Sequence, residues 1–229
     1  TLPQRSDAAM KPLAFSLSST LSLALALPLL ASAPVAVHAQ QVATVTPGKQ
    51  VVDNGTRILA TLQQRRAEFQ KNPDALRSFI DGELRNVFDR DYAARLVLGP
   101  HGRGASDADV KLFADAMTDN LMQRYGAALL GFDGKPRIRL KGESPLPNNR
   151  GVKVSTEILR EGGDPIPVDY YVRNNGGWKI FDVMVEGVSY VQTFRSQFDA
   201  PLRQKSIPPV AADLRAGSIS PGTDADGAR

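Results

Sequence analysis

Beyond Gly131 the hydrophobic period of this chain changes, and that change restricts the fold more than any motif does. Before it, apolar residues recur every three or four positions, the spacing of one helix face. After it they alternate. Ile138 and Leu140, then Val152, Val154, Thr156 and Ile158, then Ile166, Val168, Tyr170 and Val172 each take every second place. A fourth alternating run, WKIFDVMVEG, begins after the turn signal Asn174-Asn175-Gly176-Gly177 and puts Phe181, Val183 and Val185 on one face. The other face takes Trp178, Ile180, Asp182 and Met184. Gly187 ends that run, and Val188, Val191, Phe194, Phe198 and Leu202 return to helical spacing. Four consecutive strands with short connections form an antiparallel sheet with one apolar face. Helices placed before and after it must cover that face, which is an α+β arrangement.

The helical part carries its own punctuation. Asn72-Pro73 supplies an N-cap followed by proline at the first helical position, and Gly99-Pro100 is a stop. Ser106 and Asp109 have the spacing of a capping box ahead of a long helix running to about Leu130. Val110, Phe113, Ala114, Met117, Leu121 and Tyr125 lie on one broad face of that helix. Ser189 stands where a cap for the last strong helix is needed.

Residues 1–39 read as an export signal. Met10 and Lys11 precede an apolar stretch around Leu21 to Leu30, and Val37-His38-Ala39 suits a signal peptidase; residues 1–9 read as an upstream extension. Residues 40–209 form a single α+β domain by this reading. After Ile207-Pro208-Pro209, residues 210–229 hold Gly217, Pro221, Gly222 and Gly227 and read as a flexible tail, with a short final helix displaced to around Val210–Leu214 as the alternative.

Chemistry is scarce. The chain has no cysteine, so disulfides, thiolate metal sites and a cysteine nucleophile are excluded. Of two histidines only His101 lies outside the signal, and no acidic neighbour marks it as a catalytic base. Gly187-Val188-Ser189-Tyr190-Val191 lacks the second glycine of a nucleophile elbow. Asp169 and Asp182 are carboxylates that an acid–base mechanism could use, but both read as structural; a backbone group or Arg195 is the expected partner of Asp182. The net charge of +4 is small for a nucleic-acid binder, and no nucleic-acid module is present. Lys135, Arg137, Arg139 and Lys141 form a basic ridge on the first strand. It reads as a solvated face, with docking of an acidic partner or anionic headgroups as the alternative.

The segment from Trp178 to Phe198 resembles the MlaC, or toluene-tolerance, family. That family typically reads W-K-[VI]-[YF]-D-V-x-[VI]-E-G-V-S, followed by an aromatic residue, Arg and a Phe-ended helix. Trp178, Lys179, Asp182, Val183, Glu186, Gly187, Val188, Ser189, Phe194, Arg195 and Phe198 fit it. FDRDYAARLVLG and the Phe113, Leu121, Tyr125 spacing resemble the family as well. The resemblance implies a curved four-stranded sheet of the nuclear-transport-factor-2-like (NTF2-like) kind, packed against N-terminal helices, with a C-terminal helix. It further implies a non-enzymatic phospholipid carrier of the periplasm and the Mla lipid-asymmetry pathway. Such a carrier is a monomer that works between an inner-membrane ABC transporter complex and an outer-membrane lipoprotein complex. It has no cofactor; phospholipid is its cargo. The expected pocket lining is Phe88, Leu96, Phe113, Met117, Leu121 and Tyr125 from the helices. Val154, Val168, Tyr170, Val172, Phe181, Val183 and Val185 are expected from the strands. An exported NTF2-like enzyme acting on an apolar small molecule, and a protein adapter that binds no lipid, are the alternatives.

Overall fold

The computed structural model describes residues 45–131 and 136–219. The export signal read in residues 1–39 and Lys135 of the basic ridge lie outside these residues. The helices α1 (Pro47–Gln64), α2 (Arg66–Lys71), α3 (Pro73–Val87), α4 (Arg90–Leu98) and α5 (Asp107–Tyr125) come first. The strands β1 (Arg137–Pro145), β2 (Val152–Leu159), β3 (Ile166–Asn174) and β4 (Trp178–Val185) follow. A two-residue strand, β5 (Val188–Ser189), leads into α6 (Tyr190–Gln204) and α7 (Ile207–Arg215).

Local signals placed most of these boundaries. Asn72 accepts from the Ala75 amide and Ser106 from the Asp109 amide, each holding one of the donors that a helix start leaves unpaired. The shorter Asp109 differs from the glutamate of a full capping box. Its carboxylate takes the Ser106 hydroxyl proton at 2.9 Å. Ser189 caps α6 by accepting from the Gln192 amide at 3.1 Å.

All strands pair antiparallel in the order β1-β2-β3-β4-β5. The sheet thus has the four expected strands plus a short fifth, which turns the chain back across the end of β4. Two strands depart from strict alternation, β1 between Leu140 and Gly142 and β4 between Ile180 and Asp182. Tyr171 pairs with Asp182, but Val172 pairs with Ile180, so Phe181 is an extra residue in β4. Such a bulge shifts the side-chain phase by one. Ile180, opposite Val172, therefore shares the inner face with Val183 and Val185. The expectation that Ile180 faces away from those valines is corrected by this bulge.

Apolar packing divides into three clusters. Val51 of α1 and Val87 of α3 close over Val154, Val172 and Ile180. Leu62, Phe69, Leu76 and Ile80 join α1, α2 and α3. The largest cluster lies among helices α4, α5, α6 and α7, where Phe113 and Phe198 are fully buried.

The last of these helices corrects the flexible-tail reading over residues 210–215 in favour of the helical alternative; residues 220–229 of that reading lie outside the described residues. Ile207–Arg215 is helical, and Val210, Ala211 and Leu214 are fully buried. Two prolines in its first turn read as breakers, yet proline costs nothing where its missing N–H would have no partner. Asn120 on α5, itself buried, donates to the Leu214 carbonyl at 2.8 Å and fastens the end of α7.

Candidate functional site: a cavity between sheet and helices

The cluster under α1 and the cluster among α4–α7 do not meet everywhere, and a cavity of about 350 Å³ separates them. Strand β4 forms its floor with Phe181, Asp182, Val183 and Val185. Opposite stand Ala93, Ala94 and Val97 of α4, with Ala114, Met117, Thr118 and Leu121 of α5. Leu84 and Phe88 close one side, and Tyr190, Val191 and Phe194 of α6 the other. Three of these positions are alanine. Methyl groups on two facing helices leave room that leucine or phenylalanine would fill, so the space is a consequence of residue size. The bulge adds to it by turning Phe181 toward Tyr92, where the rings meet edge to face at 5.2 Å.

The polar groups on this wall differ in how fully they are bonded. Thr118 donates its hydroxyl to the Ala114 carbonyl, as helical threonines do, and so presents its methyl side. The Asp182 carboxylate accepts from the Ser189 hydroxyl at 2.6 Å, the Val183 amide at 2.8 Å and the Val191 amide at 3.1 Å. It thereby ties the start of α6 to β4 across the exposed Glu186-Gly187 turn, where both residues have positive φ. The partners of Asp182 are thus a hydroxyl and backbone amides, with Arg195 uninvolved.

Burial pushes the Asp182 carboxyl above the usual aspartate range, and its three hydrogen bonds only partly oppose that. A raised carboxyl favours the protonated fold. Its contribution to stability is therefore full below the unfolded pKa and is lost as pH rises through the folded pKa. Glu68 and Glu157 are shifted down by hydrogen bonds from paired cations, and Asp199 by its hydrogen bond with His101 and then by Arg203, so these act in the opposite sense. The expected result is accordingly a difference: relative to Asp182→Asn, wild type loses stability as pH rises across this window. Urea unfolding of both proteins at successive pH values measures it, and parallel profiles would refute the assignment.

The structure brings Phe88, Met117, Leu121, Phe181, Val183 and Val185 together on the cavity wall. Other expected residues lie elsewhere. Leu96 is half-buried off the cavity, and its neighbour Val97 holds the position on the wall. Phe113 is buried against Phe198, and the adjacent Ala114 reaches the wall. On each helix the expectation missed by one residue, a rotation of about 100°. Val154 and Val172 belong to the closed core under α1 and α3, with Tyr170 packed against it. Val168 is buried opposite Thr156 and Val185 but does not line the cavity. Tyr125 ends α5, and its side chain lies outside the described residues. Leu84 reads only as part of an apolar helix stripe, and Arg90, Ala93 and Ala94 are not among the expected lining; for the alanines, small residues within an apolar stripe are the available signal.

The hydrolase geometry does not assemble. Ser189 bonds Asp182, whereas the His101 Nε2 pairs with Asp199 Oδ1 at 2.9 Å. Asp199 is the acidic partner that sequence proximity did not reveal. Part of the basic ridge is paired: Arg139 and Lys141 share the single carboxylate of Glu157 across the β1–β2 ladder.

Known proteins are similar to this chain in sequence and in fold. The chain is 27% identical to the toluene tolerance protein ttg2D of Pseudomonas putida, over 78% of this chain and 84% of that protein. It is 20% identical to the intermembrane phospholipid transport system binding protein MlaC of Haemophilus influenzae, over 79% and 86% respectively. A phospholipid-binding protein from Ralstonia solanacearum, solved in complex with a phospholipid, superposes with a TM-score of 0.63 at 18% identity. That likeness covers 76% of this chain and 96% of the other. The sequence profile described as MlaC protein matches residues 53–216, which include every element that walls the cavity, and the chain therefore belongs to the MlaC protein family.

Proposed function

We propose that this protein is a periplasmic phospholipid carrier, with the cavity between β4 and helices α4, α5 and α6 as the place for the acyl chains. The observation that carries this reading is a hollow of about 350 Å³ walled almost wholly by aliphatic and aromatic side chains. Its size is within the range of small-molecule sites. An apolar lining of this extent favours apolar occupants, whose burial removes both surfaces from water. Each methylene buried there contributes about 0.8 kcal/mol, so a chain is held firmly with no directional bond to any one group. A carrier gains from that. Acyl chains bound through buried area are released by re-exposing that area, without any covalent step.

The named functions of the Haemophilus and Ralstonia proteins support phospholipid as the cargo. The family supports partners at both membranes: an inner-membrane ABC transporter complex and an outer-membrane lipoprotein complex. The protein, purified without detergent from an exporting host, should yield phospholipid on organic extraction, at close to one per chain by mass spectrometry. Extracts free of lipid, from protein that is folded by circular dichroism, would count against the carrier.

A further inference from the structure

One residue on the cavity wall does not suit an acyl chain. Arg90, the first residue of α4, lines the cavity with its side chain only 15% exposed. It is the single cation among the described lining residues. A guanidinium has five N–H donors. Among the described residues, Arg90 makes one hydrogen bond, from Nη1 to Asp81 Oδ1 at 3.3 Å. Its Nη2 stands 3.3 Å from Asp115 Oδ1, but out of line, so that the buried oxygen accepts no hydrogen bond. Arg90 is thus ion-paired with two carboxylates, yet most of its buried N–H donors make no hydrogen bond and have capacity for a further acceptor.

The surrounding charges leave room for an anion. Asp81 is also held by Arg85, and Asp115 by Lys111. The chain of contacts Arg85, Asp81, Arg90, Asp115, Lys111 alternates in sign and begins and ends on a cation. It therefore carries one positive charge in excess, and Arg90 is the member that faces the apolar hollow. Asp182, the carboxylate on the same wall, has three donors and needs no further partner.

We propose that Arg90 is the headgroup-recognising residue of the cavity: its free N–H groups bind the phosphate diester of a lipid whose acyl chains lie along β4. This rests on the carrier reading and goes beyond it, because it makes phosphate a requirement for good cargo. A diacylglycerol with the same acyl chains would fill the same space and leave the remaining Arg90 N–H groups without an acceptor. Charge-assisted hydrogen bonds are the strong class, and one such contact corresponds to a preference on the order of tenfold.

The test is competitive loading. Delipidated protein is exposed to mixed vesicles containing equal phosphatidylglycerol and diacylglycerol with identical chains, and the bound lipids are counted by mass spectrometry. Wild type should enrich the phospholipid about tenfold, and Arg90→Gln should bring the ratio near unity. Since Arg90→Gln leaves Asp81 and Asp115 facing each other, the charge-balanced pair Arg90→Gln with Asp115→Asn serves as a second variant with the same expected ratio. An unchanged preference in both variants would overturn the assignment. If wild type takes up diacylglycerol as readily as phospholipid, the headgroup role falls while the carrier stands; if it takes up neither, both fall. Inorganic phosphate titrated into delipidated wild type should show no saturable binding. A saturable site that Arg90→Gln abolishes would make Arg90 a free-anion site and overturn the headgroup role.

Discussion

Met117→Trp is expected to lower phospholipid loading by roughly a hundredfold while leaving the protein folded. Met117 is half-buried on α5 and projects to the cavity wall between Ala114 and Leu121. An indole there would occupy space that three to four methylenes of an acyl chain could otherwise take. At about 0.8 kcal/mol for each methylene, the loss is about 3 kcal/mol, or two powers of ten in affinity. Overfilling a packed core costs ~1–3 kcal/mol, but here the added volume enters an existing void, so the stability cost should lie at or below the lower end. Lipid-to-protein ratios after equilibration with vesicles give the first quantity, and urea midpoints the second. Loading as in wild type would mean that the acyl chains lie somewhere else.

Phe198→Ala should have the opposite profile. Phe198 is fully buried on α6, 5.4 Å from the Phe113 ring in an edge-to-face pair and 6.3 Å from Phe194. It lies in the cluster that joins α4, α5, α6 and α7, with no part of it on the cavity wall. Removing such a ring loses its transfer energy and leaves a void, about 3–5 kcal/mol together. For a domain of this size that corresponds to a fall in Tm on the order of 10 °C. Thermal unfolding followed by circular dichroism measures it. Protein that remains folded at low temperature should still load lipid. The two variants thus separate walls that bound the cavity from packing that supports them, though Met117 and Phe113 lie on the same helix only four residues apart.

That proximity explains what sequence reading can and cannot do for this protein. Phe113 and Met117 belong to one apolar stripe, and periodicity gives both the same value. One touches Phe198 and the other touches empty space. The difference comes from what stands across from each, which no local pattern records. Leu96 and Val97 make the same point on α4. Both are apolar neighbours at the end of one helix, and only the docking angle of that helix decides that Val97 reaches the cavity. Arg90 was invisible for a related reason: an arginine at a helix start reads as solvated until the walls around it are known.

Element type and order were legible because their causes are local. The 3.6- and 2-residue periods, the caps at Asn72, Ser106 and Ser189, and the Asn174–Gly177 turn act over a few residues. The run from Trp178 to Phe198 was also sufficient to indicate the family, which the profile match over residues 53–216 shows. Three matters were decided by tertiary structure. The bulge at Phe181 sets which β4 residues share a face, since pairing with β3 fixes the register. Asn120 and the buried Val210, Ala211 and Leu214 turn an apparent tail into a packed helix. The cavity itself exists because alanines on α4 and α5 face a bulged strand. Hydrophobic patterning says which residues avoid water; only the distance between packed elements determines whether they meet each other or leave room for a lipid.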